Sequence, residues 1–111
     1  MYFKIEKRDN YLLLTAEKGV FDAKRLGEFK SLDQTHADEN LIVDLRRCFD
    51  IEDESLAALE EIWGERYDRD KSCIFVYHDF EIQERLEDDT PFTLTMEDAL
   101  ITLEDEEAMR D

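Results

Sequence analysis

Leu41-Ile42-Val43-Asp44-Leu45 is apolar at every position but one. A strand covered on both faces has this composition, and central parallel strands are covered that way because helices flank them. Twelve residues on, the period changes. Asp53 and Glu54 open a stretch whose apolar positions, Leu56, Leu59, Ile62, Trp63 and Tyr67, keep a 3.6-residue repeat as far as the charged run Asp68-Arg69-Asp70-Lys71, which predicts a helix. Cys73-Ile74-Phe75-Val76-Tyr77 then repeats the pattern of a buried strand. Strand, helix and strand in this order form a crossover unit of an α/β layer structure.

On the N-terminal side, Tyr2 to Glu6 and Tyr11 to Glu17 are short β-branched or aromatic runs joined by the polar turn Lys7-Arg8-Asp9-Asn10, a hairpin at the sheet edge. From Asp22, the spacing of Leu26, Phe29 and Leu32 predicts a helix, and 33–40 its end and loop. On the C-terminal side, Asp79 can cap a short helix carrying Phe80, Ile82 and Leu86, which Asp88-Asp89-Thr90-Pro91 ends. Phe92-Thr93-Leu94 reads as a last brief strand. Thr95-Met96-Glu97-Asp98 reads as a capping box for a helix with Met96, Ala99, Leu100 and Leu103 on one face. The expected order is β-β-α-β-α-β-α-β-α: a mixed sheet with an N-terminal hairpin, parallel interior strands and about four helices. Residues 1–103 read as a single domain, and 104–111 as a frayed acidic tail.

The chain has 111 residues, enough for one core. Its 31 Asp and Glu against 14 Lys and Arg give a net charge of −17, yet 42% of residues are hydrophobic, so the acidity lies on a folded body. Such a surface repels phosphate backbones and anionic headgroups, which disfavours nucleic acid and direct membrane insertion and favours a protein partner carrying a basic patch. Cys48 and Cys73 have no CxxC spacing, and neither a signal peptide nor a membrane-spanning run is present in the sequence, so a cytoplasmic protein with reduced thiols is expected.

No constellation of an enzyme emerges. His36 falls in a polar loop and His78 directly after a strand, and neither has a second His or Cys at metal-ligand spacing. Cys48 and Cys73 lie in or beside buried strands, where packing explains them better than reactivity. Three glycines cannot make a phosphate-binding loop. The acidic run Asp50 to Glu54 lacks the glycine and spacing of a calcium loop. No cofactor or metal is therefore expected. Trp63 and Tyr67, one helical turn apart, fit a buried face; half-covered, the pair would anchor a basic, partly apolar partner helix.

From Leu41 to Val76 the chain resembles the STAS domain, the fold of bacterial anti-sigma-factor antagonists and of the cytoplasmic tails of sulfate transporters. In that family an apolar strand ending in Asp-Leu leads to the motif Asp-Ser-Ser-Gly-Leu at a helix start, and a buried strand follows. Leu41 to Leu45, Leu56-Ala57-Ala58-Leu59 and Cys73 to Val76 are similar to those three parts without a gap. The opening hairpin and Thr95 to Leu100 resemble the family's first and last elements. In this register Glu52-Asp53-Glu54-Ser55-Leu56 stands in place of the motif, and Glu54 in place of its phosphorylated serine. A shift of one residue would put Ser55 there instead, at the cost of a gap and of the match at Leu56 and Leu59.

The resemblance implies a non-enzymatic interaction module whose partner-binding surface comprises Asp50, Glu52, Asp53, Glu54, Ser55 and Leu56. It further implies that phosphorylation at the usual position is lost. An anti-sigma kinase-like protein is the implied partner. The alternative is an accessory subunit docking on a transporter ATPase or permease. A homodimer burying residues 50–55 is a third possibility. Simple helix capping by Asp53 and Glu54, whose carboxylates a helix N-terminus stabilises by about 0.3–1 kcal/mol each, accounts for these residues without any regulatory role.

Overall fold

A computed structural model describes residues 1–86 and 90–110. The hairpin forms as expected: β1 (Phe3–Lys7) pairs antiparallel with β2 (Leu12–Ala16). After β3 (Gly19–Phe21), α1 (Ala23–Thr35) starts on Asp22, whose carboxylate accepts from the Arg25 amide. Next come β4 (Leu41–Asp44), β5 (Cys48–Ile51), α2 (Asp53–Asp68), β6 (Cys73–Val76), a 3₁₀ helix (Phe80–Arg85), β7 (Phe92–Thr93) and α3 (Met96–Met109).

The main sheet has the order β1-β2-β4-β6-β7, parallel at every pairing after the hairpin. β4 stands at its centre, and each of its four residues is buried, as the apolar run predicts. β6 beside it is likewise buried throughout. α1 and α2 cover one face over Leu14, Val43 and Phe75, while α3 covers the other over Ile42, Ile74 and Val76. The mixed α/β architecture with parallel interior strands and a hairpin edge is thus the one expected.

Four differences have physical reasons. β3 and β5, absent from the expected order, pair parallel to each other in a second small sheet. Phe21 at the end of β3 packs with Phe3 and Phe29 at ring-centroid separations of 5.8 and 6.1 Å, which fixes this extra strand over the core. The short helix after Asp79 is 3₁₀ rather than α, with Asp79 accepting from the Glu81 amide. Of its expected terminator, Asp88 and Asp89 lie outside the described residues.

On α2, the buried position near the C-terminus is taken by Arg66 and not by Tyr67, which is 64% exposed. The Arg66 guanidinium pairs with Asp33 and donates to the carbonyls of His36 and Glu39, so each of its three nitrogens has an acceptor inside. Lastly, α3 continues to Met109 through the stretch expected to be a frayed tail. Ser72 Oγ donates to Glu106 at 2.6 Å, and Asn10 Nδ2 donates to Glu107 at 2.7 Å.

Candidate functional site

The residues from Asp44 to Ser55 lie at the carboxyl ends of β4 and β6, where open α/β sheets commonly place their sites. Asp44 closes β4 and is nearly buried; its carboxylate accepts from the Arg46 guanidinium at 2.9 and 2.8 Å and from the Arg46 amide at 3.1 Å. Burial pushes its pKa up, but the hydrogen bonds and charge of Arg46 outweigh this and hold it below the usual carboxylate value. β5 follows immediately, tied to the end of β6 by two bonds: the Tyr77 hydroxyl to the Phe49 carbonyl at 3.4 Å, and His78 Nε2 to the Cys48 carbonyl at 2.8 Å. Along β5, Cys48 and Ile51 point inward while Phe49 and Asp50 face outward.

α2 starts on Glu52, whose backbone is extended and whose side chain makes no capping bond. Asp53 and Glu54 fill the first turn and are exposed, so they complement the helix dipole by charge alone. Arg85 reaches over from the 3₁₀ helix. It donates to the Ile51 carbonyl at 2.6 Å and pairs with Asp53 at 2.7 Å and Asp50 at 3.3 Å. A shallow hollow of about 310 Å³ lies beside this bridge, with Phe49, Asp50, Tyr77, Asp79 and Arg85 among its walls.

The expected site residues therefore separate into two layers. Asp50, Glu52, Asp53 and Glu54 share one exposed surface at the mouth of α2. Ser55 and Leu56 lie beneath it, 1% and 3% exposed, with Leu56 part of the core and the Ser55 hydroxyl buried without a hydrogen-bond partner among the described residues. Sequence reasoning misses Phe49, which is 62% exposed with Lys18 Nζ 5.5 Å from its ring centroid. It also misses Arg85 and Tyr77, whose roles depend on contacts across some thirty residues. A signal for Phe49 exists in hindsight of the pairing alone: Cys48 and Ile51 face inward, so the residues between them must bulge outward.

The other candidates have structural partners. His36 Nδ1 donates to Glu39 at 2.6 Å and His78 to the Cys48 carbonyl. Cys48 and Cys73 are fully buried free thiols; desolvation pushes both up, that of Cys73 to about 12, so neither is a thiolate near neutral pH. Among the described residues, no group of three or more His, Cys, Asp or Glu is placed to hold a metal ion, and no helix is long and apolar enough to cross a membrane.

No protein-family model matches the chain, and no curated protein matches it in sequence. Solved structures do match. The anti-sigma-factor antagonist SpoIIAA in its unphosphorylated form aligns over 90% of this chain and 94% of its own, with a TM-score of 0.69 at 10% identity. A protein from Shewanella loihica described as having a SpoIIAA-like fold aligns over 91% of each chain, with a TM-score of 0.49 at 17% identity. The chain has the SpoIIAA-like, STAS-like fold.

Proposed function

We propose that the chain is a non-enzymatic protein–protein interaction module resembling an anti-sigma-factor antagonist, working through the surface at the mouth of α2. The observation that carries this reading is the pair of exposed carboxylates Asp53 and Glu54 in the first turn of a helix whose next residue, Ser55, is buried. A phosphoserine would bring about −1.5 to −2 charge and three acceptor oxygens. Glu54 brings one permanent charge, and Ser55 would have to leave the core to accept a phosphate. The proposed module therefore has a fixed setting at this position. Phe49 and the acidic rim of Asp50, Glu52, Asp53 and Glu54 favour a partner with basic residues around an apolar one, since charge speeds encounter and a desolvated aromatic anchor holds it.

Affinity capture from native lysate with wild type, Glu54→Ala and Glu54→Ser tests the proposal. Removing Glu54 costs only about 0.3–1 kcal/mol of stability, so lost binding reports the surface and not unfolding. We expect one partner whose recovery falls in Glu54→Ala. A sigma-regulating kinase as that partner supports the antagonist-like role, and a transporter ATPase supports an accessory role in a membrane transport complex. Equal recovery of every protein by all three forms reduces Glu54 to a helix-stabilising charge, and phosphate incorporated at Ser55 by a partner kinase refutes the fixed setting.

A further inference from the structure

We propose that the outer edge of β1 is a self-pairing surface, through which two copies of this chain join β1 to β1, antiparallel, about a two-fold axis at Ile5. Among the described residues β1 pairs with one strand, β2, on one of its two sides. The Glu17 amide donates to the Tyr2 carbonyl and the Arg8 amide to the Tyr11 carbonyl, and the register pairs Phe3 with Ala16 and Lys7 with Leu12. In an antiparallel ladder this turns the backbone groups of Lys4 and Glu6 toward β2 and those of Phe3, Ile5 and Lys7 away from it. Among the described residues no strand lies beyond β1. The Phe3 amide is engaged there by the Glu28 carboxylate at 2.9 Å. Ile5, 39% exposed, stands at the middle of the edge with its N–H and C=O directed outward, as a hydrogen-bonded antiparallel pair requires.

The strand Phe3-Lys4-Ile5-Glu6-Lys7 is complementary to its own reverse. Centred on Ile5, an antiparallel copy sets Lys4 opposite Glu6 twice and Ile5 opposite Ile5. Lys4 Nζ already lies 3.1 Å from Glu6 Oε1 in the same strand, so pairing shares existing ionic partners between copies and strands no charge. The charge distribution favours this edge as well. Residues 1–8 carry Lys4, Lys7 and Arg8 against Glu6 alone, in a chain of net charge −17. These cations offset the Glu28 carboxylate on the same edge, so two chains meet here with less repulsion than their net charge alone would give.

Lysines on an open edge discourage pairing with arbitrary strands. The Lys-Ile-Glu alternation exempts one partner, an antiparallel copy of itself. Because β1 has one free side, the interface is isologous and closes at two copies. Glu28 limits the ladder by occupying the Phe3 amide, which leaves Ile5 bonded to Ile5 and the Lys7 amide to the Phe3 carbonyl of the other copy. The dimer is accordingly reversible and concentration-dependent.

Sedimentation equilibrium over a concentration series tests the pairing with wild type, Lys4→Glu, Glu6→Lys and the double swap. Each single reversal sets like charges opposite each other at two symmetric places and should raise the dimer dissociation constant about tenfold, while the double swap restores it. Thermal melts of the four proteins check that all are folded; the side chains concerned are on the surface. A wild type that stays monomeric at its highest soluble concentration overturns the proposal. So does a dimer whose dissociation constant is the same in all four proteins.

Discussion

At the scale of single residues, charge placement decides what each carboxylate does. Asp44 and Glu54 are both acidic residues near the ends of elements, but one is nearly buried against a guanidinium and the other stands in solvent. With its folded pKa held below the ordinary 3.8, Asp44 contributes stability that is present above that value and is lost as pH falls through the lower, folded one. Asp44→Asn should therefore cost about 1.5–3 kcal/mol near neutral pH, the worth of hydrogen bonds to a charged group. Denaturant unfolding of both proteins across the acid range checks this: the gap should shrink below pH 3.8 and stay constant above about pH 5. A gap that persists unchanged in acid would assign the cost to packing.

At the scale of elements, the 3₁₀ helix Phe80–Arg85 is held at one end by buried Ile82 and at the other by the Arg85 bridge to Asp50, Asp53 and the Ile51 carbonyl. Half-exposed ion pairs of this kind contribute about 0–1 kcal/mol to global stability. Arg85→Ala should leave the unfolding midpoint within that margin and yet raise amide hydrogen exchange in residues 80–85 selectively. Unchanged exchange there would assign the anchoring to buried Ile82 and to the bond from Gln83 to the Phe92 carbonyl.

The elements also show what the sequence made legible. β4, α2 and β6 could be read because an unbroken apolar run and a 3.6-residue repeat each have one structural meaning over that length. So could the position of residues 50–54 at a helix mouth. β3 and β5 could not, being three and four residues long, too short for a period to show. The inward turn of Arg66 in place of Tyr67 was equally hidden, because its partners Asp33, His36 and Glu39 come from another helix and its following loop. Arg85 and Tyr77 join the site only through such long-range contacts.

For the whole molecule, the dominant quantity is a net charge of −17 spread over a body of 12.8 Å radius of gyration. Self-repulsion at this density works against the compact state. Raising ionic strength from about 0.01 to 0.15 M shortens the screening length from about 30 to 8 Å, so the unfolding temperature should rise with added sodium chloride. A thermal melt series shows it, and a fall would mean that the surface ion pairs outweigh the overall repulsion. The same screening should weaken binding of the proposed basic partner at the mouth of α2, in which case salt would move folding and recognition in opposite directions.

The order of strands in the main sheet, β1-β2-β4-β6-β7, is also their order along the chain. Each strand that leaves the ribosome meets its neighbour already made, and none has to wedge between two finished ones. The sheet thus grows in the direction of translation, with a single ripening edge, and the nascent chain is never asked to hold a gap open for a segment not yet synthesised.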